Sequence, residues 1–190
     1  MKALHLVALA MLTASGGAAA APQPDDNVMV PLFLDACAKG DLTYEAREAA
    51  IAADSQWVAA ADTDDLDIAA FGKVPSISIN FDYRHPTAVR EWTRTADGKT
   101  IRLVLARFPA DRRYPTLCGL LVPDVRNVFP YSDPFEAGVK AIGLKGKSTD
   151  LPHYFEYSGK LPGGRPARGD IFSRTRVLGG GDNMHMYVAF

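Results

Sequence analysis

Val89-Arg90-Glu91-Trp92-Thr93-Arg94-Thr95, then Ala96-Asp97-Gly98, then Lys99-Thr100-Ile101-Arg102-Leu103-Val104-Leu105-Ala106-Arg107-Phe108 is the stretch on which the fold turns. Two runs of alternating character flank an Asp-Gly pair. Asp-Gly supplies the positive φ angles that a tight hairpin turn demands. In the second run Ile101, Leu103 and Leu105 share one face. In the first, Arg90, Trp92 and Arg94 do. The reading is an antiparallel hairpin with one face committed to a core.

Working toward the C-terminus, Thr116 to Val122 is apolar almost throughout, as a central strand would be. Asp133-Pro134-Phe135-Glu136 carries the signature of a helix start, with Asp133 as cap, Pro134 in the first turn and Glu136 closing a capping box. Phe135, Val139 and Ile142 then fall on one helical face, and Gly143 stops the helix. Three more strands are expected at about His153–Ser158, Ile171–Val177 and Met184–Phe190, the last two joined by a turn at Gly179–Asp182. Ser76 to Tyr83 alternates Ile77, Ile79 and Phe81 and is a candidate edge strand.

Toward the N-terminus, Val30, Phe33, Leu34 and Cys37 recur at spacings of three and four, which predicts a helix over 28–39 with Gly40 beyond its end. Thr43 can cap a second helix running to about Ala53, with Glu45 near its positive end. The order is helix, helix, three strands, helix, three strands. The expected fold class is therefore α+β: a mostly antiparallel sheet of about six strands, with the N-terminal helices and one central helix packed on one face. The only internal repeat is a coarse two-halves pattern of strands.

The first twenty residues have a different logic. Lys2 precedes an apolar run from Ala3 to Leu12, broken only by His5, and a small-residue stretch follows from Ala14 to Ala21. That is a charged n-region, an h-region and a cleavage site, so residues 1–20 are expected to be a signal peptide cut after Ala20. The run is too short to span a bilayer, which takes about 20 apolar residues. No other segment is long and apolar enough to be a membrane helix. Residues 21–27 read as a flexible leader and 28–190 as one domain. Export places the chain in the periplasm or outside the cell. In such an oxidising compartment Cys37 and Cys118, the only two cysteines, are expected to pair. A catalytic thiol near a His such as His153 is the alternative for one of them.

The chain has 190 residues, 47% of them hydrophobic and 23% charged, and a formal net charge of −1. These values exclude a disordered chain, and the charge gives no reason to invoke nucleic acid. The charge is unevenly spread, however. From Asp25 to Asp67 eleven acidic residues stand against two basic ones, and from Ile68 onward eighteen basic stand against eleven acidic. Such asymmetry fits an anionic ligand or a protein partner, or an acidic helical segment folded over a basic sheet.

Few motifs carry chemistry. Asp62–Asp67 resembles a calcium loop but has Asp67 where the loop needs Gly and Lys73 where it needs an acid, so a solvated acidic loop is the simpler account. His85, His153 and His185 lack metal-ligand spacing, and no metal or cofactor is expected. No nucleophile elbow, zinc-protease, Walker or dinucleotide string occurs. Arg168-Gly169-Asp170 is an adhesion tripeptide too short to weigh. The candidate binding residues are Arg90, Trp92 and Arg94, a cationic strand face with an aromatic that could meet an anionic sugar or a lipid headgroup. A core-facing Trp92 between Arg stems lying over apolar surface is the competing account.

The helix with Cys37, then Trp57, Trp92, the Asp97-Gly98 turn, Cys118 and the capped helix resembles a small group of uncharacterised exported bacterial proteins. The resemblance implies export and a similar α+β domain, and no activity. The expected function is an exported, non-enzymatic protein that binds a partner or small ligand through its sheet face. Two alternatives stand beside it. One is a secreted hydrolase whose site gathers dispersed His and acidic residues. The other is a small outer-membrane barrel, suggested by the alternating Met184, Met186, Val188 and terminal Phe190.

Overall fold

A computed structural model of the chain describes residues 27–60, 86–147, 153–175 and 182–190. The expected signal peptide, the Asp62–Asp67 loop, the Ser76–Tyr83 strand, His85 and most of the Gly179–Asp182 turn lie outside the described residues.

The fold is α+β. Two helices open it, α1 (Met29–Cys37) and α2 (Tyr44–Ala53), followed by β1 (Val58–Ala59), β2 (Ala88–Ala96), β3 (Lys99–Arg107) and β4 (Thr116–Val122). The second half consists of α3 (Phe129–Ala141), β5 (Leu144–Lys147), β6 (Tyr154–Lys160), β7 (Pro166–Thr175) and β8 (Asp182–Ala189). All eight strands join one antiparallel sheet in the order β1-β2-β3-β4-β8-β7-β6-β5. Two four-stranded meanders, each preceded by helix, thus lie edge to edge along the β4–β8 seam, where Leu120 stands opposite Met186.

The sheet has eight strands where about six were expected. The two additions sit at its edges. β1 has only two residues, paired as Val58 to Thr93 and Ala59 to Trp92. β5 has four, two of them Lys. Neither is long enough to show a period in sequence. The β2–β3 hairpin follows expectation. Ala96 pairs with Lys99, and Asp97 and Gly98 take φ of +48° and +68°. Both central residues of the turn are then left-handed, which matches the strand twist.

The start of α3 corrects the sequence reading. The helix begins at Phe129, so Pro134 is internal and Asp133 is not its cap. The cap position is Val128, which makes no side-chain bond, and the Asn127 side chain just before it accepts the Phe129 N–H at 3.1 Å. Pro130 occupies the first turn, where a missing N–H costs nothing. Pro134 leaves the Pro130 carbonyl without its usual intrahelical donor. At the other end of the chain, α1 and α2 form as read. Asn27 accepts the N–H groups of Met29 and Val30 at 3.2 and 3.3 Å, and Thr43 accepts that of Ala46 at 3.3 Å. Asn27, placed in the leader by sequence, is the residue that starts α1. Arg47 of α2, itself buried, closes the far end of α1 by donating to the carbonyls of Ala36 and Asp41.

All three helices pack on one face of the sheet. Met29, Val30, Phe33 and Cys37 of α1 and Phe135 and Val139 of α3 meet Leu103, Leu105, Leu120, Met184, Met186 and Val188 in one core. Phe33 and Phe135 stack with ring centres 5.4 Å apart. A Cβ added to Gly138 would stand 2.3 Å from the end of the Leu34 side chain, so at the α1–α3 crossing Leu34 packs directly over the glycine. Cys37 and Cys118 form a disulfide with Cα atoms 5.3 Å apart, bridging α1 to the central strand β4 across 81 positions. Met184, Met186, Val188 and Phe190 face this core, as expected of β8. The opposite face of the sheet is buried too. Val104, Ala106, Leu117, Leu121, Tyr154, Phe172, Tyr187 and Ala189 form a second apolar cluster there. Among the described residues no helix is long and apolar enough to cross a membrane.

Candidate functional site

Where β2 leaves the cover of the first two helices, a cleft of about 100 Å³ opens. Helical spacing builds two of its walls. Leu32, Asp35 and Ala36 fall one turn apart on α1, and Ala50, Ile51 and the C-cap Asp54 do so on α2. Trp57 and Arg94 complete it. The alanines keep the interhelical space open, and together with Leu32 and Ile51 they give it an apolar lining. The charged groups are one guanidinium and two carboxylates. Arg94 stands over the Trp57 indole at 5.7 Å from the ring centre and pairs with Asp54 at 3.5 Å. The second oxygen of Asp54 accepts the Gln56 N–H at 3.0 Å. Asp35 pairs with Lys39 at 3.0 Å, one helical turn away and largely exposed.

Of the three residues singled out by sequence, one lines this cleft. Arg90, Trp92 and Arg94 do share the helix-side face of β2, but they are not a continuous platform. Trp92 is buried in the helix-side core. Arg90 reaches Glu48 of α2 at 2.8 Å, and Arg107 of the neighbouring strand covers the Tyr44 ring at 4.1 Å and pairs with Glu45. Three acids of α2 and its cap therefore meet three arginines of β2 and β3. The acidic N-terminal segment folds over a basic sheet edge, one of the two accounts its charge allowed. Sequence reasoning missed Asp35, Asp54 and Trp57 as neighbours of Arg94. The first two sit on polar helix faces, which look like any solvated face.

A second polar constellation lies on the other face of the sheet. Asp170 is fully buried. It accepts hydrogen bonds from the Tyr154 hydroxyl at 2.9 Å, from the Tyr187 hydroxyl, and from Arg168 Nε at 3.1 and 3.2 Å. Arg168 also donates to the Tyr154 oxygen at 2.7 Å and pairs with Glu156 at 3.1 Å. Residues 168 and 170 share a face because strand side chains alternate, so the Arg-Gly-Asp tripeptide is an ion pair inside the sheet and not an exposed loop. Burial pushes the Asp170 carboxyl up to about 6, against the pull of Arg168 and the two phenols. With both carboxylate oxygens hydrogen-bonded and no solvent access, this group is built to hold strands together.

Neither of the two described histidines lines the cleft or bonds Asp170. His153 sits in a left-handed turn before β6, with φ of +59°, beside the Phe129 ring at 5.0 Å. His185 is buried and stacks on Phe172 at 4.8 Å. Among the described residues no group of three or more His, Cys, Asp or Glu is placed to hold a metal ion. Compared with protein-family models, curated proteins and solved structures, the chain matches none.

Proposed function

We propose that the protein is an exported, non-enzymatic binding protein whose ligand site is the cleft between α1, α2 and β2. The observation that carries the reading is Arg94. Its cation lies over an aromatic face in an open concave site, held only by a loose pair with Asp54. The burial of both sheet faces favours the cleft over the sheet face itself as the place where a ligand enters. Among the described residues no Ser, Cys or His lines it, which favours binding over hydrolysis. The bridge between Cys37 and Cys118 and the n-region, h-region and small-residue site at the N-terminus support export.

The test uses the two tryptophans. Both tryptophans are buried in the same core, but only Trp57 also lines the cleft, so the two indole N–H signals provide a reporter and a control. The mature protein is titrated with a panel of small organic acids, amines and amino acids at millimolar concentration. The expected result is a shift at Trp57, none at Trp92, and loss of the shift in Arg94→Gln. A Trp57 signal that no compound moves overturns the site. For export, the protein recovered from fractionated cells should begin at Ala21, and an intact N-terminus in the cytoplasm overturns that part.

A further inference from the structure

We propose that the cleft takes a small zwitterion, an α-amino acid of about alanine's size, with its carboxylate on Arg94, its ammonium between Asp35 and Asp54, and its side chain against Leu32, Ala36, Ala50 and Ile51. The inference rests on the ligand-binding reading above and deepens it. It follows first from the charges that line one small space. A simple anion would satisfy Arg94 but stand beside two carboxylates of its own sign. A simple cation would satisfy the carboxylates and meet the guanidinium. A molecule with both charges on one carbon answers both.

The existing pairs leave room for it. Arg94 and Asp54 are 3.5 Å apart, longer than the 2.7–2.9 Å of a good charge-assisted bond, and each keeps hydrogen-bonding capacity the other does not use. Asp35 is held by Lys39 alone, in an exposed pair of the kind that contributes little. Size sets the other limit. The cleft has a volume of about 100 Å³, room for several waters. That suits a methyl or similarly short side chain between the alanines, with the charged ends at the open rim. The Trp57 ring stands 5.7 Å from the Arg94 cation.

Three matched probes test it: alanine, propionate (alanine without its ammonium) and ethylamine (alanine without its carboxylate). Each is titrated into the wild-type protein with the Trp57 indole as reporter. Alanine should bind at least about tenfold tighter than either partner probe, since each lost charge-assisted contact is worth about that factor. Asp35→Asn should weaken alanine about tenfold and leave propionate no weaker, and because Asp35 is largely exposed the variant should fold. Propionate or ethylamine binding as tightly as alanine overturns the zwitterion while leaving the cleft a ligand site. Silence from all three probes overturns the zwitterion as well, and silence from the wider panel too removes the site altogether.

Discussion

Asp170 shows how one buried residue sets a pH dependence. Its carboxyl titrates at about 6 in the fold and at 3.8 when free. Folding therefore favours the protonated acid, and the stability this group confers is greatest below about pH 4 and is lost as pH rises through about 6. The gap corresponds to on the order of 3 kcal/mol. Relative to Asp170→Asn, the wild type should gain stability on mild acidification, read as diverging urea midpoints. Parallel pH profiles would show that Asp170 does not carry the effect. Arg168→Met should be costly at neutral pH, about 3–5 kcal/mol, because it strands a buried charge. The cost should shrink in acid, where a proton replaces the lost cation. The triplet 168–170 holds the two ends of this pair, yet nothing local reveals that Tyr154 and Tyr187 arrive from neighbouring strands. A residue's environment in a sheet is set by its register with the neighbouring strands, here Asp170 opposite Tyr187.

At the scale of elements, sequence was most legible where a local rule acts alone. The Asp97-Gly98 turn and the Thr43 cap depend on a few adjacent residues, and both form as read. The start of α3 was misread because two signatures compete within eight residues. Asn127 with Pro130 and Asp133 with Pro134 each pair a capping side chain with a first-turn proline, and only packing of Phe135 and Val139 against α1 and the sheet decides between them. The consequence is measurable. Asn127→Ala should cost about 0.5–2 kcal/mol, whereas Asp133→Ala should stay within about 0.5 kcal/mol. The reverse order in thermal or urea unfolding would return the helix start to Pro134. The short edges β1 and β5 were illegible because two and four residues carry no period. The cleft was half legible. Strand alternation put Arg94 on the right face, but the helices that bring Asp35 and Asp54 to it are placed by tertiary packing.

For the whole molecule, the β4–β8 seam ties the two halves together, while the disulfide braces the first half internally, α1 to β4. In the chain-entropy account, a bridge across 81 positions contributes about 4.5 kcal/mol. The Cys37→Ala, Cys118→Ala double variant should lose a large part of that, and an unchanged unfolding midpoint would place the stability elsewhere. Removing residues 184–190 should be more severe. Those residues form the centre of the sheet and bury side chains in both cores, so the truncated chain should show no cooperative unfolding transition. A folded truncation product would mean that the first meander stands alone. The seam has one more implication, for the timing of synthesis. β4 and β8 are partners separated by some 70 positions, so a growing chain carries an unfinished sheet, its inner edge open, until the final strand is made. Closure of the sheet is therefore a late step, taken when β8 pairs with β4.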